Sequence, residues 1–365
     1  MRFVFKTSYE ADIRLFKHKP QMAWYMLLLA VVVALPFLLD EFFIGEATNV
    51  LIWAIAGMGL MLLTGHTGQA SLGHAAFMAA GCYFNVILLE RGVPFIISLP
   101  LAGLIAGLIG VIITLPVLRL HGVYLAIATL AISILTEDFI VIAEPWTGGV
   151  TGLVAPPMII FGLEIDRYGT PGLFYYVVLF VVLAVLMVYR NLLRTPTGRA
   201  FTAVRDSEIS AQAMGINITK TKAMSFGFSA TIAGLSGALL GHFAGAFNHE
   251  TFNVILSIQL LLMIVVGGLG SIHGAFFGAM VVALLPQFIA ISRDWVTDLT
   301  GFNATTIPGI EAGIFGLIVL LFILFEPNGI YGLWFKIRTY FEMFPFYRKN
   351  MFKRQKTYLK TERLR

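Results

Sequence analysis

Charge and cysteine are scarce in this sequence. Only 12% of its 365 residues are charged, against about 25% in ordinary soluble domains, and 58% are hydrophobic. Cys82 is the single cysteine, which excludes an intrachain disulfide framework. The low charge and the mean hydropathy of +0.85 argue against a soluble enzyme, a disordered tail and a fibrous protein. They are typical of a chain that is embedded in lipid.

Motifs for catalysis and nucleotide binding are also missing. The sequence has no H-E-x-x-H, no paired cysteines and no G-x-S-x-G. Residues 215–221 include a glycine and a Lys-Thr pair, but they lack the second glycine of a phosphate-binding loop. We therefore expect no catalytic residue, no cofactor and no metal site. An integral membrane enzyme remains one hypothesis, but no motif supports it.

Uncharged apolar runs predict transmembrane helices. A helix needs about 20 apolar residues to cross a hydrocarbon core of about 30 Å, and it satisfies its own backbone groups in lipid. The alternating segments of a membrane β-barrel are absent. The sequence therefore predicts one all-α polytopic membrane domain with about ten transmembrane helices. The predicted spans are 22–39, 46–64, 72–89, 95–115, 122–143, 172–189, 223–246, 251–267, 274–292 and 308–325.

Basic residues predict the orientation of these spans. With ten spans, the segments on the side of the N-terminus hold 22 of the 25 Lys and Arg residues, and the opposite side holds Arg91, Arg167 and Arg293. Basic residues concentrate in cytoplasmic loops, so we predict that both termini are cytoplasmic. The net charge of +5 then reflects orientation and not nucleic-acid binding. The predicted parts are a cytoplasmic segment 1–21, a transmembrane domain 22–325 and a basic tail 326–365.

Residues 190–222 form the longest internal cytoplasmic connection in this map. From Arg199 to Met214 they favour a short helix along the membrane surface, and Gly215 is placed to end it. Arg205, Asp206 and Glu208 form a polar strip. The apolar strip consists mainly of small residues and comprises Ala200, Ala203, Val204, Ala211 and Met214. Two functions fit equally well: docking on a partner protein, which small residues favour, and sealing the loop against lipid headgroups.

A glycine-rich segment at 65–81 places Gln69, Ser71 and His74 at the start of the third span. One interpretation is a broken helix that lines a translocation path, since irregular backbone occurs at membrane depth where it faces a cavity. The alternative is close packing of small residues, with His74 hydrogen-bonded to a neighbouring helix. Ionisable residues are otherwise scarce in the spans, which argues against an ion-coupled carrier.

The outer loop 144–171 and the tail also suggest functions. A loop of this length in a compact bundle is usually functional. Docking of an external binding protein, a plug over the outer mouth and a simple insertion are its three alternatives. The tail beyond Gly332 alternates aromatic and basic residues, which predicts a helix at the anionic, inner lipid surface.

Six stretches, in order, resemble the permease subunits of ATP-binding cassette importers for branched-chain amino acids, specifically the LivM type. The resemblance extends from about residue 45 to residue 332. Ser210 stands where alanine is common in the family's loop motif. The six stretches are GQASLGHAAFMAAGCY (68–83), LRLHGVYLAIATLAI (118–132), TGGVTGL (147–153), GRAFTAVRDSEISAQAMGI (198–216), VVGGLGSIHGAFFGA (265–279) and FEPNGIYG (325–332).

This resemblance implies a function and a set of partners. The chain would import branched-chain or related hydrophobic amino acids across the bacterial inner membrane as half of a two-permease pore. Its partners would be a homologous second permease, two ATP-binding subunits that hydrolyse ATP, and an external solute-binding protein. A permease for urea or short amides is the alternative, followed by a stand-alone secondary transporter or channel.

The resemblance also implies site residues. The loop would dock on an ATP-binding subunit, and Gln69, Ser71 and His74 are candidates for the translocation path. The candidate residues of the docking loop are Arg205, Asp206, Glu208, Ala211, Ala213 and Gly215.

Overall fold

Helices account for most of the chain. The structure is a computed structural model that describes residues 19–116, 120, 122–300, 310–326 and 328–342. A helix lies over each of the ten predicted apolar runs. In chain order the helices are α1 Lys19–Leu38, α2 Glu41–Leu60, α3 His74–Glu90, α4 Phe95–Thr114, α5 Val123–Ile142, α6 Glu144–Thr147, α7 Pro171–Arg194, α8 Pro196–Asp206, α9 Glu208–Ala213, α10 Ile218–Ala244, α11 Val254–Gly267, α12 Ile272–Thr300, α13 Ile310–Phe325 and α14 Gly329–Glu342.

Seven of the described helices are long and apolar enough to cross a membrane. They confirm the predicted helical, polytopic architecture. The predicted segment 1–21 and tail 326–365 lie mostly outside the described residues. The seven stretches are Glu41–His66, Phe95–Thr114, Val123–Ile142, Pro171–Arg194, Ile218–Ala244, His249–Gly267 and Ile272–Ser292.

α10 is the central helix of the bundle, packed against α2, α3 and α4. Glycines on α3 and α10 bring the two backbones together: Gly81 faces the backbone of Gly234, and Gly237 faces the carbonyl of Met78. A Cβ atom at Gly81 or Gly237 would overlap these backbone atoms. Glycine is needed here because only a residue without a side chain allows so close an approach.

α2 does not run directly into α3. A π-helical turn, Met61–His66, follows α2 directly, and residues 68–73 are not helical. α3 begins at His74. The chain between the two helices is therefore irregular, as the broken-helix interpretation expects, and π-helical turns are frequent near functional sites.

Short strands fold the predicted outer loop. β1 (Leu153–Val154) pairs antiparallel with β4 (Ala246–Phe247), and β2 (Met158–Ile160) pairs with β3 (Leu163–Ile165) in a hairpin. The Arg167 guanidinium lies 3.8 Å from the centre of the Phe243 ring, which fastens the end of this loop to α10.

Candidate translocation and coupling sites

The loop between α7 and α10 contains two short helices and not one. Ser207 lies between α8 and α9 with an extended backbone, and its Oγ accepts a hydrogen bond from the Ser210 N–H at 3.2 Å. The prediction of one helix from Arg199 to Met214 is therefore wrong at Ser207. Serine is a preferred N-cap residue, and this preference is the signal that reveals the break.

The corner between α9 and α10 is held by backbone and side-chain caps. Gly215 adopts φ +84°, and the Ile216 N–H donates to the Ala211 carbonyl at 3.0 Å, as in a Schellman motif. Asn217 then caps α10, because its Oδ1 accepts from the Lys220 N–H at 2.9 Å. The prediction that Gly215 ends the loop helix is confirmed.

Several predicted docking residues contact their own chain. Ala211 is only 2% exposed, so it offers no surface to a partner. Arg205 pairs with Asp206 at 3.0 Å and donates from Nη1 to the Gly65 carbonyl at 3.2 Å. The bond to Gly65 fastens α8 to the π-helical turn that follows α2.

Two apolar side chains protrude from this loop: Met214, which the sequence places in the apolar strip, and Ile209, which sequence reasoning missed. Ile209 is 84% exposed and Met214 is 83% exposed, and Ala213 is exposed between them. An open cleft of about 1150 Å³ lies beside α9, with Ile209 and Gln212 among its lining residues. We call Ile209, Ala213 and Met214 the exposed α9 face. Two large apolar residues in a loop otherwise rich in polar residues were the available signal for a contact surface.

Ser71 and His74 belong to a buried group of polar side chains, which we call the hydroxyl cluster. His74 Nε2 lies 2.7 Å from Ser229 Oγ, and its Nδ1 lies 3.2 Å from Ser71 Oγ. Ser229 in turn donates to the Gly59 carbonyl at 2.6 Å. The hydrogen bonds that the packing alternative expects for His74 are thus present. The members of the cluster are Ser71, His74, Thr129, Ser133, Ser229 and Ser257.

The hydroxyl cluster also caps the start of α3. The Leu72 N–H donates to Thr129 Oγ1 at 2.9 Å, and the Ala75 N–H donates to Ser257 Oγ at 3.0 Å. Ser257 lies 3.5 Å from Ser133, which is near the middle of the 20-residue α5. Because α5 is long enough to span the bilayer, its middle lies near the centre of the membrane. The start of α3, which is bonded to Ser257 beside this point, therefore lies deep inside the bundle.

Gln69 is buried without a hydrogen-bond partner for its side chain. It is 3% exposed, and neither of its amide atoms has a partner among the described residues. The same holds for His66 Nε2 and the Tyr189 hydroxyl, whose rings lie 5.8 Å apart. The structure therefore joins Ser71 to His74, but no hydrogen bond of the described residues joins the Gln69 side chain to them.

We expect His74→Ala to destabilise the protein, because it removes two buried hydrogen bonds and leaves a cavity. The free energy of unfolding should fall by about 2–4 kcal/mol. Thermal inactivation of the detergent-solubilised protein measures this loss. His249→Ala, in a short 3-10 helix outside the cluster, is the control and should change stability less. Equal melting temperatures for the two variants would contradict the structural importance of His74.

The fold and the polar sites together define a polytopic helical membrane protein. Among the described residues, no group of three or more His, Cys, Asp or Glu side chains is placed to hold a metal ion. The family described as "Branched-chain amino acid transport system / permease component" matches residues 42–324. The chain belongs to this family.

Several permeases of this kind are similar to this chain. The high-affinity branched-chain amino acid transport system permease protein LivM of Salmonella typhimurium is 31% identical, over 85% of this chain and 75% of its own length. The LivM protein of Escherichia coli is 30% identical over the same shares. The probable permease LivH of Methanocaldococcus jannaschii is 27% identical, over 80% of this chain and 91% of its own length. No solved structure matches the chain significantly.

Proposed function

We propose that this chain is a permease subunit of an ATP-driven importer of branched-chain or related hydrophobic amino acids. The observation that carries the proposal is the family match over residues 42–324, supported by the similarity to LivM permeases. A permease for urea or short amides is the second candidate, since the resemblance of the sequence motifs fits both. The names of the relatives, which describe branched-chain amino acid transport, favour amino acids.

The proposed partners follow from the relatives and from the loop. Both LivM and LivH proteins are similar to this chain, which supports a pore made with a homologous second permease. ATP hydrolysis would occur in two separate ATP-binding subunits, and a solute-binding protein would deliver the substrate from outside. The exposed α9 face is the surface we assign to the ATP-binding subunit.

The roles of the predicted loop residues divide according to whether they contact another part of the chain. Asp206 and Ala213 are exposed and belong to the docking surface, together with Ile209 and Met214. Arg205, Glu208 and Ala211 contact their own chain and keep the loop in shape. Gly215 supplies the turn that returns the chain into α10.

We also propose ten crossings with both termini in the cytoplasm. α1, α3 and α13 would supply the three crossings beyond the seven long apolar helices, and α13 with 16 residues is about 24 Å long. A protease-sensitive tag after Arg365 should resist protease added outside sealed cells. Cleavage of that tag would contradict the proposed topology, and a tag in the loop at 158–165 serves as the accessible control.

We propose that the translocation path passes the start of α3, inside the bundle, at Gln69, Ser71 and His74. Helices that begin inside a bundle often form the substrate sites of membrane transporters. The unpartnered amide of Gln69 is available to a passing polar group. Ser71 and His74 would act mainly by holding this break in place.

We expect transport to depend on ATP in the compartment that faces α9. Proteoliposomes containing the complete complex and the binding protein should take up radiolabelled leucine only with ATP on that side. The chain has no nucleotide-binding motif of its own, so this chain alone should show no uptake. Uptake by the chain alone under a proton or sodium gradient would instead support a secondary transporter. Competition with isoleucine, valine and urea separates the two substrate candidates.

A further inference from the structure

The structure assigns a positioning role to an ion pair between α9 and α10. Lys222 Nζ lies 2.7 Å from Glu208 Oε1. Glu208 is the first residue of α9, and Lys222 lies in the second turn of α10. We propose that this pair transmits the movement of α9 to α10 during transport. The inference rests on the proposed function, because an ATP-binding subunit must move α9.

Stability alone does not account for a lysine at this position. Lys222 is 2% exposed, and among the side chains that the structure describes it is the one buried lysine or arginine. It lies near the N-terminus of α10, where the helix dipole disfavours a cation. A buried ion pair often stabilises a protein no more than apolar residues of similar volume. The advantage of the pair is the defined geometry that it imposes on two helices.

Three sets of interactions make the corner between α9 and α10 rigid. The Schellman motif at Gly215 fixes the exit of α9, and Asn217 fixes the entry into α10. The ion pair between Glu208 and Lys222 closes the corner from the opposite end of α9. Because the ion pair also connects the two helices, a displacement of α9 moves α10 and does not merely bend the turn between them.

Contacts of α10 with α2 and α3 would pass the movement of α10 to these two helices. The Ser229 hydroxyl donates to the Gly59 carbonyl at 2.6 Å, and the Ser236 hydroxyl donates to the Ile52 carbonyl at 2.8 Å. Both acceptors belong to α2. The backbone contact of Gly237 with α3 couples α10 to the helix that carries His74. A shift of α10 therefore acts on the inner start of α3.

The test compares Lys222→Met with Lys220→Met in the reconstituted complex. Lys220 is exposed and lies two residues earlier in α10, so it is a matched control. We expect Lys222→Met to retain the ATP-binding subunits on co-purification, because the exposed α9 face is unchanged. The amount of leucine transported per ATP hydrolysed should fall about tenfold, the size of typical effects on coupling. Lys220→Met should keep the wild-type ratio.

Reversing the pair separates positioning from general stability. The double variant Glu208→Lys/Lys222→Glu should recover most of the transport per ATP, whereas Glu208→Lys alone should not. A purely structural role predicts that transport and melting temperature fall together while the ratio stays constant. If Lys222→Met does not accumulate in the membrane, the comparison of the double variant with Glu208→Lys tests the inference in its place.

Each result has a definite consequence. If Lys222→Met transports as much leucine per ATP as the wild type, the inference is wrong but the proposed function stands. The same holds if the double variant is stable but its transport per ATP does not recover. A wild-type complex that takes up leucine without ATP overturns the proposed function and this inference with it. If transport per ATP falls in Lys222→Met and recovers in the double variant, the result supports the ion pair as the element that transmits the movement.

Discussion

Replacing Gly237 with valine should leave almost no folded protein in the membrane fraction. A Cβ atom at Gly237 overlaps the Met78 carbonyl of α3, and backbone does not move aside as a flexible side chain does. Overpacking a tight core costs about 1–3 kcal/mol even where side chains can adjust. Here the whole α3–α10 contact must separate, and the loss becomes a large part of a total stability of about 5–15 kcal/mol.

Gly316→Val is the matched control for this variant. Gly316 also lies in an apolar helix, α13, but nothing lies within 4 Å of the position of its Cβ. Accumulation in membranes and size-exclusion profiles in mild detergent measure both variants. Normal accumulation of Gly237→Val would show that α3 and α10 are not in backbone contact in the membrane.

The double variant Ile209→Asp/Met214→Asp should abolish stable association with the ATP-binding subunits. Burying each of these apolar side chains at an interface contributes about 1.5–3 kcal/mol. Losing both corresponds to a fall in affinity of about 100-fold or more. The new carboxylates add a desolvation cost if the partner still closes over them.

Co-purification of the ATP-binding subunits and leucine-stimulated ATP hydrolysis measure this effect. Val154→Asp is the control, because it replaces an exposed apolar residue of β1 with a carboxylate, away from the loop. Undiminished co-purification would mean that the exposed α9 face is not the docking surface. Ala211→Arg is no substitute for this test, since Ala211 is buried and the arginine would disrupt the permease itself.

Much of the fold follows from the sequence because lipid imposes a strict rule on the backbone. A run of about 20 apolar residues forms a helix wherever it crosses hydrocarbon. The run 95–115 therefore matches α4 closely, and 122–143 matches α5. Glycine at the end of a polar helix is nearly as informative, which is why Gly215 was identified correctly.

The side chains that face each other were harder to predict. Ala211 and Ile209 lie two residues apart on α9, and only the fold shows that one is buried and the other exposed. Lys222 lies at the boundary of a predicted span and carries a charge, so its sequence position suggests exposure. In the structure it is buried and paired with Glu208, and a pairing across a corner of the chain leaves no periodic signal.

The capping of α3 has a consequence for how the protein is made. The Ala75 N–H finds its acceptor in Ser257, 182 residues further along the chain. A helix N-terminus that is left unpaired in hydrocarbon is costly, so α3 cannot reach its final depth while the ribosome is still translating α4 or α5. The early helices must wait near the translocon or the headgroups until α11 has been synthesised. Truncated nascent chains that end before residue 257 are therefore expected to be prime substrates for membrane quality-control proteases.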